Sequence, residues 1–358
     1  MKHKRLHQDQ VALSQTPESA QRPRQPALRV DMKLGFSCNN RCQFCVQGDK
    51  RRRYADLSTE EAKKRIDQAA AHTDRIVLTG GEVTIRADLV DLVSHARKRG
   101  FREIQIQTNG RMLAYEALCH NLVAAGATEF SPALHGHIAS LHDFLTRVPG
   151  SFDQTVQGIK NLASLKVPIV TNTVITRSNF RHLAALASLL IDLGVTQYQF
   201  AFVHGLGSAA KYFDSIVPRM ELLAPHIAAG LEKGRQAGVW ATTEAIPPCL
   251  LKGYEEHMAE WVVPDTRIYD ADMILDSYQE YRWTEGKTKG PACRSCGWYP
   301  WCEGPWREYP ERFGWSEFRS VAPKDVRRSI AEARRRAPSR VETLPTTPKP
   351  VVAPTPDR

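Results

Sequence analysis

The residues best suited to chemistry sit in one short stretch, GFSCNNRCQFCVQG, where Cys38, Cys42 and Cys45 fall in a C-x3-C-x2-C spacing. Thiolates are soft donors that select zinc, copper(I) or iron–sulfur centres. A closed zinc site takes four ligands, a disulfide framework takes an even number of cysteines, and a cubane [4Fe–4S] cluster normally takes four thiolates. Three clustered thiols point to a metal centre with one position open to another ligand. A second group, CRSCGWYPWC, supplies Cys293, Cys296 and Cys302, and Cys249 in IPPCLLKGYE is the fourth thiol. Four cysteines in two groups suit either a structural zinc site or a fully ligated cluster, and spacing alone does not choose. The eighth cysteine, Cys119, lies in a helical pattern and reads as a small buried hydrophobe.

Further candidates close predicted strands. Gly80, Gly81 and Glu82 in LTGGEV combine paired glycines, which let backbone approach closely, with a carboxylate able to receive an ammonium group. Asn172 lies in TNTVIT and Arg177 follows it; Thr108 and Asn109 in QTNG, and His135 and His204, each before a glycine, also end strands. All of these are equally at home as hydrogen-bonded turn or strand-end residues.

The elements that position these residues alternate. LRVDMKLGF is a predicted strand running into the first cysteine loop. LSTEEAKKRIDQAAAH is a helix with a capping box, Ser58 with Glu61. Five more strand-then-helix units follow as far as Gly238, so six β/α units predict a parallel α/β sheet with right-handed crossovers. Eight units close a full barrel; six predict an open, partial (β/α)6 TIM-like barrel, followed by a small cysteine-bearing C-terminal domain. The expected organisation is a disordered basic tail at 1–29, the barrel at 30–245, the cysteine-bearing domain at 246–321, and a basic, Pro/Thr-rich tail at 322–358. In that last tail, KDVRRSIAEARRRA reads as a solvated basic helix.

The net charge is +10. Residues 1–30 carry six Lys/Arg against two Asp/Glu and residues 322–358 nine against four, which leaves the body at only +1. A nucleic-acid groove is therefore not expected, and Lys50-Arg51-Arg52-Arg53 reads as a solvated cluster. Neither a signal peptide nor a membrane span is visible, so the expected location is cytoplasmic, where cysteines serve metals or redox chemistry rather than structural disulfides.

The C-x3-C-x-aromatic-C pattern, with Phe44 before Cys45 and the loop between strand and helix, resembles the signature of the radical S-adenosylmethionine (SAM) superfamily. The resemblance implies that Cys38, Cys42 and Cys45 hold a [4Fe–4S] cluster whose fourth iron chelates the amino and carboxylate groups of SAM. Reductive cleavage then yields methionine and a 5′-deoxyadenosyl radical that abstracts a substrate hydrogen. It further implies that Phe44, Gly80, Gly81, Glu82, Asn172 and Arg177 bind the cofactor: the Gly-Gly-Glu segment at the methionine amino group, Asn172 at the ribose, Arg177 at the carboxylate. The proline usual after the glutamate is Val83 here. The C-x2-C-x5-C group resembles the SPASM and twitch extensions. No cysteine follows Cys302, so the shorter form is implied, with one auxiliary [4Fe–4S] cluster on Cys249, Cys293, Cys296 and Cys302. The resemblance covers roughly residues 30–321.

The resemblance further implies an oxidative modification of a peptide, as by a maturase, or of a small molecule, with an electron donor such as flavodoxin or ferredoxin as partner. A molybdenum-cofactor-type cyclase ranks lower, because that family ends in Gly-Gly and this chain in PTPDR. A small-molecule dehydrogenase or epimerase stays open. From another class, a zinc-stapled protein attached to nucleic acid by its basic tails is the alternative.

Overall fold

The computed structural model describes residues 29–271 and 273–336. The first tail, up to residue 28, and the Pro/Thr-rich end lie outside the described residues.

The alternation in the sequence becomes β1 (Arg29–Lys33), α1 (Thr59–Ala70), β2 (Arg75–Thr79), α2 (Leu89–Lys98), β3 (Glu103–Thr108), α3 (Glu116–Ala125), β4 (Glu129–Pro132), α4 (Ala139–Thr146), α5 (Ser151–Ser164), β5 (Val170–Ile175), α6 (Leu183–Asp192), β6 (Gln197–Phe202) and α7 (Ala224–Ala237). Ser58 caps α1 by accepting from the Glu61 amide, as its capping box requires. Helices α3 and α7 stop at Gly126 and Gly238, both in the left-handed conformation that glycine adopts without penalty. Helix α4 was not foreseen; it fills the connection after β4 and carries the loop against which the first cysteines pack.

Two parallel strands join the six expected ones. Strand β7 (Trp240–Glu244) pairs with β6, and β8 (Thr266–Tyr269) pairs with β1 on the opposite edge; a short β9 (Ile274–Leu275) adds to β8 antiparallel. The order is β9-β8-β1-β2-β3-β4 in one sheet and β5-β6-β7 in the other. Parallel bridges Phe130 to Ile169 and Ala133 to Asn172 join the two. The result is an open, partial barrel of parallel strands with helices outside. The paired edge does not end at the boundary expected after residue 245, since β8 lies beyond it. WATTE and TRIY are short and lack an apolar run, so neither announces itself as a strand.

Alternation along each strand sends one set of side chains outward. Val30, Met32, Leu78, Ile104 and Ile106 pack there with Leu92 and Val93 of α2 and Ile159 and Leu162 of α5 in one continuous core. The inward set is polar, unlike the packed apolar interior of a closed barrel. Gln105 bonds Glu129, Gln199 donates to Glu244 at 2.8 Å, and Arg29 donates to Thr266 at 3.3 Å. Within this set Asp31 Oδ1 and Asn172 Oδ1 are buried without a hydrogen-bond partner among the described residues.

The C-terminal segment is bolted to the barrel by buried polar contacts. Lys287, its side chain 1% exposed, pairs with Glu260 at 2.7 Å and Glu303 at 3.0 Å. Arg282 meets Glu303 through Nε at 2.8 Å and Nη2 at 3.1 Å, and Glu260 also accepts from the Ala245 amide at 2.6 Å. Tyr309 donates to Glu317 and accepts from the Met220 amide. The basic helix after Pro323 departs from its expected solvated state. As α8 (Pro323–Arg336) it buries Val326, Ser329 and Ala333, and Arg336 pairs with Glu256 at 2.6 Å. The Lys50 cluster also departs in part: Lys50 pairs with Asp270 at 2.7 Å, and Arg51 donates to the Asn40 carbonyl at 3.1 Å.

Breaking a buried pair leaves its partner charge uncompensated. Lys287→Met, which strands Glu260 and Glu303, is expected to cost about 3–5 kcal/mol in urea unfolding; a loss below about 1 kcal/mol would show that the network contributes no more than a surface pair.

Candidate functional site

The first cysteine loop leaves β1 at Lys33 and is zipped to the end of β2. The ladder continues past both strands: Leu34 N donates to Thr79 O, Gly81 N to Gly35 O at 2.9 Å, and Glu82 N to Ser37 O at 2.8 Å. The paired glycines are demanded by this contact. A Cβ on Gly80 would collide with the Gly35 carbonyl, and one on Gly81 with the carbonyls of Phe36 and Ser37. On the other side Asp56 accepts from Phe36 N at 2.7 Å and Ser37 N at 3.0 Å. The loop is thus held from two directions before it reaches Cys38.

Cys38, Cys42 and Cys45 are each partly exposed free thiols. Burial raises the Cys38 and Cys42 thiols, and the neighbouring Cys45 adds to the effect on both. Asn40 N points at Cys38 Sγ at 3.3 Å. Phe44 is buried and meets His135 edge-on at 4.7 Å between ring centroids, which anchors the last cysteine against β4's outgoing loop. His135 itself is buried, and its Nδ1 accepts from Val174 N at 3.3 Å, so it serves as a packed strand-end residue.

Glu82 follows the paired glycines at the end of β2. Its carboxylate is buried and accepts from Thr84 N at 2.9 Å, Thr84 Oγ1 at 2.5 Å, Thr108 Oγ1 at 2.6 Å and Asn109 N at 2.6 Å. It ties the ends of β2 and β3 together and does not present a free acid. Val83, in place of the usual proline, opens a 3-10 turn capped by that same carboxylate. Arg177 is exposed and donates to the Asp214 carbonyl at 2.5 Å. Asn172 is placed on the inner face with its buried Oδ1 unpaired.

The strand-end candidate Asn109 is joined at the thiol loop by residues that the sequence does not mark. Asn109 donates to Asn39 Oδ1 at 2.6 Å, and Arg111 reaches the Asn39 carbonyl and Asn40 Oδ1 at 3.1 Å. Together they brace the loop from β3. Asn39 and Asn40 lie inside the cysteine motif and were its available signal; Arg111 and Asp56 carry none that composition or spacing reveals.

The second group converges too. Cys249, Cys293, Cys296 and Cys302 line one pocket of about 360 Å³ with Lys289, Tyr299 and Phe318. Burial pushes the Cys249 thiol up to about 11, helped by Cys296 and Cys293. Val321 N points at Cys296 Sγ and Gly304 N at Cys302 Sγ, both at 3.3 Å. Lys289 Nζ donates to the Tyr299 carbonyl at 2.9 Å beside this pocket. Among the described residues no three His, Cys, Asp or Glu side chains sit close enough to share one metal ion. Cys119 is buried and bonds the Leu113 carbonyl at 3.2 Å. His204 stacks on Trp306 at 3.9 Å and faces Glu308 at 3.4 Å, joining β6 to the C-terminal segment. No helix among the described residues is long and apolar enough to cross a membrane.

Burial opposes the charge on Asp56, but the Ser37 and Phe36 donors outweigh it and hold the carboxyl below its ordinary value. Such a group stabilises the loop above its unfolded pKa, and the contribution is lost as pH falls through the depressed folded one. Phe36 and Ser37 amides are therefore expected to lose protection, relative to strand amides, below about pH 4. Asp56→Ala should raise their exchange about tenfold at neutral pH, one hydrogen bond's net worth; unchanged exchange would show that the ladder with Gly81 and Glu82 suffices.

Residues 32–190 match the family model described as the radical SAM superfamily. The AdoMet-dependent heme synthase of Oleidesulfovibrio alaskensis is 30% identical over 199 residues, 55% of this chain and 51% of the relative. A probable GTP 3′,8-cyclase of Saccharolobus islandicus is 31% identical over 191 residues, 52% of this chain and 60% of the relative. The chain thus spans about half to three-fifths of the length of these curated relatives. Among solved structures, Streptococcus suis SuiB bound to S-adenosylmethionine superposes with a TM-score of 0.60 at 16% identity, covering 83% of this chain and 77% of SuiB; it shares the fold. The thiol loop and the strands from β2 to β5 lie inside the matched span, and residues 32–190 form a domain of the radical SAM superfamily.

Proposed function

We propose that this enzyme holds two [4Fe–4S] clusters, uses the first to cleave SAM, and oxidatively modifies a C–H bond of a peptide. The observation that carries the reading is the braced loop bringing Cys38, Cys42 and Cys45 together beside a polar barrel interior. Three thiols on one braced loop would leave one iron of a cubane for SAM. When bound, the cluster supplies the electron that cleaves SAM to methionine and a 5′-deoxyadenosyl radical able to abstract a substrate hydrogen.

The chain's own residues then divide the work. Because Glu82 is committed to Thr84, Thr108 and Asn109, the Gly80–Glu82 segment would meet the SAM ammonium through main-chain carbonyls rather than through the acid. Asn172 Oδ1, buried and unpaired, would accept from a ribose hydroxyl. Arg177, turned to Asp214, is not assigned to SAM. Phe44 keeps Cys45 in place through His135. Gln105, Glu129, Gln199 and Glu244 make an interior suited to hydrogen-bonding a polar substrate segment.

Cys249, Cys293, Cys296 and Cys302 would ligate the auxiliary cluster. With every iron on cysteine it would have no open position, which suits it to accept the one electron that a substrate radical must lose to become the oxidised product. The amides aimed at Cys296 and Cys302 favour thiolates there and stabilise the reduced state of a cluster. A peptide substrate agrees with SuiB, which has been solved with its precursor peptide SuiA. The heme synthase and cyclase relatives keep a small-molecule substrate as the second reading. Zinc-stapled nucleic-acid binding has no support once the radical SAM domain is in place.

Anaerobic reconstitution should give a brown protein with about eight irons per chain that cleaves SAM under dithionite. Cys38, Cys42 and Cys45 all replaced by Ala should bring iron to about four and abolish cleavage; surviving cleavage refutes the site. Cys293→Ala should retain SAM cleavage while halting product formation. Asn172→Ala should weaken SAM binding about tenfold, the worth of one hydrogen bond, with iron content unchanged; an unaltered Kd removes Asn172 from the cofactor site.

A further inference from the structure

We infer that the outer face of the first cysteine loop is a docking surface for an acidic protein that donates single electrons; this rests on the cluster assigned above. Three segments meet there. Arg41 N donates to the Thr146 carbonyl at 2.9 Å and Gln43 N to the Leu145 carbonyl at 3.0 Å, while Ser208 N donates to the Cys45 carbonyl at 2.9 Å. The last turn of α4 and the loop after β6 therefore each make direct backbone contact with the thiol loop.

This face is apolar at its centre and cationic around it. Phe144 is 55% exposed, Val46 46%, Tyr212 40% and Leu206 38%. These are four of the ten large hydrophobics that the described surface exposes, and they fall on the three segments just joined. Isolated exposed apolar residues need no explanation, but clustered ones mark interaction sites. Arg41, Arg147 and Lys211 are exposed around them. Arg147 lies 5.9 Å and Lys211 5.4 Å from the Tyr212 ring centroid, so both cations border the apolar centre.

No acid balances them. Segments 41–46, 144–147 and 206–212 contain none. The adjacent Asp143 turns inward to Gly150 N at 2.7 Å and Ser151 Oγ at 2.8 Å, and Asp214 is paired with Arg312. Since residues 31–321 carry only +1 in all, the positive rim is local. It selects a negatively charged partner and speeds the encounter. Redox partners need only small, transient interfaces, and electron transfer weakens steeply with distance. Arg41 directly precedes Cys42 and Val46 directly follows Cys45, so a donor seated here meets the chain next to two of the three thiols.

The test is anaerobic stopped-flow reduction of the reconstituted enzyme by photoreduced flavodoxin, an acidic probe, with dithionite as the small-molecule control. Arg147→Glu/Lys211→Glu should slow reduction by flavodoxin at least tenfold at low salt and leave dithionite reduction, iron content and SAM binding unaltered. For the unaltered enzyme, raising ionic strength from about 0.05 to about 0.3 M shortens the screening length and should slow flavodoxin but not dithionite. That measurement decides the matter if the double variant folds poorly. Reduction by flavodoxin that ignores both the charge reversal and salt overturns the docking surface while the cluster stands. A variant that accepts electrons normally but loses its substrate assigns this face to substrate and overturns it as well. Absence of an iron chromophore reducible by dithionite in the unaltered enzyme overturns the functional reading itself.

Discussion

The structure depends on carrying the β1–β2 ladder beyond the strands into the cysteine loop. Two amides, Gly81 N and Glu82 N, bond carbonyls of Gly35 and Ser37, and this is possible only because no side chain stands at 80 or 81. A loop with three thiols would otherwise pay heavily in conformational entropy to hold its sulfurs in one place. Here that ordering is completed by the fold. Asp56 takes the opposite side, Asn109 and Arg111 reach in from β3, and Phe44 is pinned by His135. A metal centre built on such a loop meets donors already arranged.

Glu82 shows how one residue can serve this constraint. Its carboxylate accepts four hydrogen bonds and joins the ends of β2 and β3. A buried carboxylate is tolerated only with such satisfaction. The acid therefore positions the backbone that borders the thiol loop.

The C-terminal segment is integral to the barrel as well as to its own cysteines. It lends β8 to the edge beside β1, and the Lys287, Glu260, Glu303 and Arg282 network links the pocket wall to β7. The Glu303 carboxylate lies next in sequence to Cys302, so the same buried charges that join the parts also fix one thiol of the second group. Helix α8 closes over this region because Arg336 finds Glu255 and Glu256, which a reading of its many arginines as solvated did not anticipate. That reading judged charge along one helix; the acids that neutralise it are some eighty residues away.

Cysteine spacing, glycine pairs and the alternation of six strands with six helices were legible in the chain alone, because each is a local pattern set by ligand number, backbone freedom and side-chain period. The convergence of Cys249 with three cysteines over forty residues later agreed with a count but became visible as one pocket only in space. Strands β7 and β8 escaped because four or five residues of mixed polarity acquire strand character from their neighbours in the sheet. The roles of Glu82, Arg177, Asp56 and Arg111 were likewise decided by tertiary structure. Residue type declares what a side chain can bond, whereas which partner lies within about 3 Å depends on where the folded chain brings distant segments together.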